Sequence, residues 1–293
     1  MDGGADRSAV TPLPVADATR RWRQRLATAL RRLSRLAVAP LYWWYARRLQ
    51  AQVTVGTPLP HHLGVILDGN RRYARALGLS TSAGHSIGAQ KVEALIEWCA
   101  KLGIPRVTLW VFSTDNHSRD EAEVMALYRL FADHARRMTV DPRIHAQRIR
   151  VRMIGDLGQL PGEVRRSFAA LERSTSDYDG MQLYVAVSYG GREEIMSAVR
   201  RALKTKQRDG LTLAEATESL TTEDISAHLY AAPCPDPDFI IRTSGEVRLS
   251  GFLLWQSVYS EFYFCDVFWP EFRWLDFLRA LRAYQKRQRR FGR

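Results

Sequence analysis

Three cysteines in 293 residues, Cys99, Cys234 and Cys265, are too few and too scattered to frame a disulfide-held fold, and no Cys-x-x-Cys spacing supports a structural zinc site. A reducing, cytoplasmic setting is expected. Long apolar runs are also lacking: the longest, Leu36 to Ala46, contains Pro40 and falls short of the ~20 residues a membrane-spanning helix needs. The first residues are polar and acidic, without the charged, apolar and small-residue order of an export signal. No G-x-x-x-x-G-K-S/T loop occurs, which argues against a P-loop nucleotide enzyme. Acidic residues are in deficit, 31 against 43 basic, giving a net charge of +12 and a pI near 10.0. That balance favours an anionic partner: a nucleic acid, a membrane surface or a phosphorylated substrate.

Much of the surplus lies in the first fifty residues, which hold ten arginines against Asp2, Asp6 and Asp17. Residues 1 to about 17 are small, polar and proline-marked and are expected to be disordered. From Thr19 to Leu36, arginines alternate with Trp22, Leu26, Leu30, Leu33 and Leu36 at helical spacing, and Leu41-Tyr-Trp-Trp-Tyr45 adds aromatics. This pattern suits a helix lying on a membrane surface, and equally one packed on protein or nucleic acid. Pro58-Leu-Pro60 then marks the entry to a second domain. Residues 1–57 are expected to be a basic arm and residues 58–293 a single catalytic domain.

Within that domain apolar runs at Leu63 to Leu67, Val107 to Phe112, Ile149 to Ile154, Leu183 to Val187 and Phe239 to Ile241 alternate with helical periodicity, such as Val92, Leu95, Ile96, Cys99 and Leu102 before Gly103. The expected fold class is α/β, a mostly parallel central sheet flanked by helices. In such sheets ligands bind beyond the carboxyl ends of the strands. Three of those ends are polar. Asp68-Gly-Asn-Arg-Arg72 follows the first run and combines a carboxylate for a hard cation, a glycine permitting close backbone approach and two forked phosphate donors. Read alone, Asp-Gly there is an ordinary turn. Arg242-Thr-Ser-Gly-Glu246, with Arg248 and Ser250, follows the last run and again suits phosphate. Phe112-Ser-Thr-Asp-Asn116-His-Ser-Arg119 follows the second, where Ser113, Thr114 and Asn116 serve equally well as caps of a helix starting near Asp120. Glu261, inside the apolar segment Tyr259 to Phe264, must be paired or metal-bound to be tolerated.

Taken together, Asp68-Gly-Asn-Arg-Arg-Tyr-Ala-Arg75, Gly84-His85, Phe112 to Asn116, Tyr189-Gly-Gly-Arg192 and Arg242 to Ser250 resemble the cis-prenyltransferases, the undecaprenyl diphosphate synthase family, over roughly residues 60 to 293. Leu249 to Gln256 and Leu41 to Tyr45 look most like its short-chain members. The resemblance implies a Mg2+-dependent homodimer with an apolar product tunnel, joining isopentenyl diphosphate to an allylic diphosphate such as dimethylallyl, geranyl or farnesyl diphosphate. It implies catalytic roles for Asp68 and Asn116, and metal binding by Asp68 and Glu261. Substrate contacts are implied for Gly69, Asn70, Arg71, Arg72, Tyr73, His85, Ser113, Thr114, Asp115, His117 and Arg119 at one end, and for Arg242, Arg248, Leu249 and Ser250 at the other. Arg290 and Gly292 belong to a terminal motif that reaches the neighbouring subunit's site. Peripheral membrane contact through the arm is compatible with this reading, and nucleic acid is not an expected partner.

The residue types agree with that chemistry. A departing diphosphate needs cations where its charge develops, and the carbocation-like fragment needs walls that exclude water. Asn116, a neutral amide, positions or relays rather than acting as a base. Departures are present: Tyr73 and His117 stand where many members have tryptophan, Val247 where histidine or glutamine is usual, and Thr81 where long-chain enzymes have arginine. Val111 is bulkier than the residue long-chain members favour there, so a partly plugged tunnel and a product of a few isoprene units are expected. Long-chain synthesis and irregular coupling of two allylic diphosphates are the alternatives. Paired aspartate-rich motifs of trans-type synthases are absent.

Overall fold

A computed structural model describes residues 42–54 and 58–287. The expected arm helix from Thr19 to Leu36 and the terminal Arg290-Phe-Gly292 lie outside the described residues. The chain divides into two compact units, residues 1–51 and 52–293. Residues 42–54 form a helix, α1. Trp43 and Trp44 are exposed on it and stack with the guanidinium groups of Arg47 and Arg48 at 5.2 and 5.5 Å.

The second unit is built on six parallel strands in the order β3-β4-β2-β1-β5-β6. They span His62–Ile66 (β1), Arg106–Ser113 (β2), Arg150–Ile154 (β3), Gln182–Tyr189 (β4), Phe239–Arg242 (β5) and Glu261–Phe264 (β6). β1 is buried at all five positions because it lies inside the sheet with both faces covered, which is why its sequence is a continuous apolar run without alternation. Strand order reverses beside β1, the place where an open α/β sheet forms its ligand crevice.

The connecting helices are α2 (Asn70–Ala76), α3 (Thr81–Leu102), α4 (Glu121–Thr139), α5 (Pro142–Ala146), α6 (Gly162–Ser174), α7 (Gly191–Arg208), α8 (Leu213–Glu218), α9 (Thr222–Ala227) and α10 (Trp274–Lys286). Local chemistry sets their ends. Ser80 Oγ accepts from Ala83 N at the start of α3, and Gly103 closes it in the left-handed conformation. Asp120 accepts from Glu123 N and caps α4, so Ser113 and Asn116 are left to shape the turn before it.

Alternation along β4 divides the interior. Tyr184 and Ala186 point into a core cluster with Ile66, Ile154, Ile240 and Phe252 on one face. Leu183, Val185 and Val187 point to the other face, beneath α3, α4 and α6, and line an apolar cavity of about 110 Å³ with Val92, Phe131, Phe168 and Leu171. The pairing of β2 with β4 slips twice near their carboxyl ends, first leaving Val111 and then Ser188 as an extra residue. Ser188 takes up its bulge at φ 50°. Such bulges re-aim side chains beside ligand sites.

Candidate active site

The carboxyl ends of β1, β2 and β5 surround a cleft of about 390 Å³. Asp68 stands just beyond β1, and its carboxylate accepts 2.8 Å from Arg242 Nη2 at the end of β5 and 3.3 Å from Arg72 Nη2 on α2. The Thr243 hydroxyl donates 2.7 Å to Asp68 C=O, and Trp269 N donates to the same oxygen at 3.0 Å. Burial alone raises the Asp68 carboxyl, but the hydrogen bonds and charges of Arg242 and then Arg72 outweigh it, holding the group below the ordinary aspartate range. Gly69 bends the chain at φ 111°, and a Cβ there would meet Phe268 Cδ1 at 2.9 Å. Only glycine fits this turn without strain.

Arg242 is almost fully buried. Its other terminal nitrogen, Nη1, donates to Arg248 C=O at 2.5 Å and to Ser250 Oγ at 2.8 Å. Arg242 Nε has no partner among the described residues. Glu246 receives Arg72 Nη1 at 2.8 Å and also pairs with Arg248; Arg72 further donates 2.6 Å to Ser244 Oγ. The guanidinium of Arg248 is largely exposed at the rim. Two strand ends distant in sequence are therefore joined by one ionic network.

A second cluster forms across the cleft. Glu123 Oε1 on α4 lies 3.0 Å from Arg119 Nη1, 3.2 Å from His85 Nε2 and 3.7 Å from Arg71 Nε. Burial lowers the His85 imidazole, and Glu123 only partly offsets this, so the ring titrates below the usual histidine value. Burial likewise lowers Arg119. Ser113 N donates 3.1 Å to Asn116 Oδ1, which orients the Asn116 amide at the cleft wall.

Of the residues expected at the site, the cleft gathers Asp68, Gly69, Asn70, Arg71, Arg72, His85, Val111, Ser113, Asn116, Arg119, Arg242 and Ser250. Tyr73, Thr114, Asp115, His117, Arg248 and Leu249 are not part of its lining. His117 is engaged on both ring nitrogens, with Ser188 Oγ at 2.7 Å and the Tyr128 hydroxyl at 2.9 Å. Leu249 packs on the core cluster, and Asp115 is exposed. Glu261 is level with Phe239 and Leu63 at the amino end of the sheet, on the order of 10 Å down the strands from the end that bears Asp68. Its carboxylate accepts 2.8 Å from Arg287 Nη1. Glu123 and Glu246 were not among the expected contacts; the i, i+4 spacing of Glu123 from Arg119 was the signal available for the first.

Among the described residues no three His, Cys, Asp or Glu side chains gather as a cation cage. The Asp68 carboxylate is nevertheless partly accessible, with Oδ1 held only by the long Arg72 contact. One carboxylate beside an arginine-lined cleft fits a small hard cation held jointly by protein and phosphate oxygens. The cleft shares Leu67, His85, Val111 and Leu127 with the apolar cavity, so a cationic chamber adjoins an apolar one.

Residues 66–292 match the family described as "Putative undecaprenyl diphosphate synthase". The chain is 58% identical over 252 residues to an isoprenyl transferase of Deinococcus radiodurans, covering 86% of this chain and 92% of that one. It is 49% identical over 254 residues to the (2Z,6E)-farnesyl diphosphate synthase of Thermobifida fusca, covering 86% and 97%. Among solved structures, lavandulyl diphosphate synthase from Lavandula x intermedia in complex with dimethylallyl diphosphate superposes with a TM-score of 0.73 at 32% identity, over 83% of this chain and all of that one.

Proposed function

The chain belongs to the undecaprenyl diphosphate synthase family of cis-prenyltransferases, and from that premise we propose how its residues divide the condensation of isopentenyl diphosphate with an allylic diphosphate. Arg71, His85 and Arg119, held by Glu123, receive the allylic diphosphate on their remaining donors. Arg242, Arg248 and Ser250 anchor the isopentenyl diphosphate. Asp68 would hold Mg2+ together with substrate oxygens, and that ion supplies neutralising charge for the leaving diphosphate.

The allylic carbon to oxygen bond breaks as the double-bond electrons of isopentenyl diphosphate form the new carbon to carbon bond; a proton then passes from the carbon next to the junction to the departing diphosphate, and its bonding electrons form the new double bond. Arg71 and Arg119 meet the developing diphosphate charge without having to reorganise, because Glu123 already holds them in place. Asn116 orients the reacting end, with its own amide fixed by Ser113 N. The hydrocarbon enters the apolar cavity, away from water. Its small volume and the position of Val111 at its mouth favour a short Z-configured product. Glu261 and Arg290-Phe-Gly292 act on a site contributed by a second copy of this chain, consistent with Glu261 lying away from its own Asp68. The exposed Trp43 and Trp44 with their arginines suit contact with a lipid surface.

The observation that carries the reading is the 2.8 Å pair between Asp68 and Arg242, which joins two strand ends over a cleft that opens to an apolar cavity. Purified protein incubated with Mg2+, labelled isopentenyl diphosphate and dimethylallyl, geranyl or farnesyl diphosphate should yield a short prenyl diphosphate, and chelation should abolish it. Long products alone would overturn the short-chain reading. A fold neighbour solved with dimethylallyl diphosphate motivates one further arm: a product from dimethylallyl diphosphate alone would establish irregular coupling.

A further inference from the structure

At the opposite end of the sheet from the cleft lies a second cationic pocket that the condensation does not use. Arg106, Gln182 and Arg150 are in register across β2, β4 and β3, and Tyr184 and Arg152 form the next row on the same face. Together with Pro233 and Pro235 they enclose a cavity of about 240 Å³. Its floor is firm, because Tyr184 is buried and its hydroxyl donates 2.9 Å to Gln182 Oε1. The Arg152 guanidinium is held over the Tyr184 ring, 5.8 Å from its centre.

None of the three arginines makes a salt bridge among the described residues, whereas Arg71, Arg72, Arg119 and Arg242 of the cleft are tied to Asp68, Glu123 or Glu246. The nearby Asp238 is already engaged by the backbone N–H groups of His61 and His62, at 2.7 and 2.9 Å. Three like charges on neighbouring strands repel one another. A concave surface that gathers forked donors without supplying an acid matches an external anion with several oxygens. The Gln182 amide nitrogen, without a partner among the described residues, adds a neutral donor.

We propose that this pocket is a second anion site, which binds a phosphate or diphosphate group remote from catalysis. The length of β2 separates it from the cleft by about 23 Å, so one diphosphate cannot touch both. The tyrosine and proline walls leave room for an apolar substituent on the same anion.

Inorganic diphosphate titrated into the full-length protein by calorimetry tests this. More than one class of site is expected, those of the two diphosphate subsites in the cleft and one here. Arg152→Gln should weaken one class about tenfold and leave condensation kinetics unchanged. Arg150→Gln, at an exposed edge position, should weaken the same class with little risk to folding. Arg242→Met should weaken a cleft class and leave this one unchanged. A single class in the wild-type protein, or an isotherm unaltered by Arg150→Gln and Arg152→Gln, would overturn the second site. Should Arg242→Met alter no class while Arg152→Gln removes one, the cleft assignment fails and this pocket stands.

Discussion

Asp68 is where burial and charge compete most directly. Its carboxyl is held down by Arg242 and Arg72 against a burial effect of opposite sign. A carboxyl whose folded value is depressed contributes stability that is fully present above the ordinary aspartate value and is lost as pH falls through the lower, folded value. Arg242→Met removes the larger restraint but keeps the burial. Carbon-detected NMR titration of the Asp68 carboxyl should therefore show it titrating at higher pH than in the wild type, with stability at pH 7 lower by on the order of 2 kcal/mol. An unchanged midpoint would mean that Arg72 alone sets the value. Individual residues were legible to the extent that their type was unusual in its setting. Asp68 and Arg242 stand out because carboxylate and guanidinium groups at the ends of buried strands need partners, whereas Arg119 was implied only by the family resemblance. Glu123 and Glu246 did not stand out, since acids near arginines on a helix or loop are ordinarily solvated pairs. His117 was expected among the substrate contacts for its place beside Asn116, yet a turn of 3-10 helix over Thr114–Ser118 directs its ring to Ser188 and Tyr128. Nothing in a six-residue pattern announces that rotation.

Five of the six strands could be located from apolar runs because a parallel sheet covered on both faces needs no alternation, and β6 showed only as the apolar setting of Glu261. Asp120 and Gly103 marked helix ends, whereas the Ser80 cap of α3 went unread. What no run of residues reveals is where two strands slip against each other. The slip at Val111 places its side chain on the boundary between cleft and cavity. Trimming it should open that boundary: Val111→Ala is expected to lengthen the product by one or more isoprene units, read by chromatography of the dephosphorylated alcohols, and an unaltered distribution would place the limit deeper in the cavity. Close approach of α2 and α3 is equally silent in the sequence. A Cβ on Gly84 would sit 2.5 Å from Asn70 C=O and 2.8 Å from Ala74 Cβ, and a backbone oxygen cannot swing aside. Gly84→Ala should thus push apart the helices that carry Arg72 and His85. The expected cost is about 1–3 kcal/mol, seen as a lower urea midpoint, together with a raised KM for the allylic diphosphate. A stabilised protein, as helix propensity alone would give, would contradict the packing.

For the whole molecule, the placement of Glu261 is the informative fact. It lies at the start of β6 and pairs with Arg287, while Asp68 stands past the carboxyl end of β1. If Glu261 and the terminal Arg290-Phe-Gly292 serve a diphosphate at all, a second copy of the chain must present them, and each complete site then draws on two chains. That arrangement makes a prediction which mixing can decide. A chain ending at residue 287 lacks the terminal motif but keeps Asp68; an Asp68→Ala chain keeps the motif but lacks the carboxylate. Each alone should be nearly inactive. Unfolded together and refolded, they should form mixed dimers in which one site has both an intact Asp68 and a neighbour's intact terminus, so condensation should reappear in proportion to the mixed species. Separately refolded proteins combined under conditions that forbid exchange should stay inactive. If instead the mixture remains as inactive as its parts while size-exclusion chromatography shows that mixed dimers have formed, both elements must act within a single chain, and the terminal segment would have to reach its own cleft.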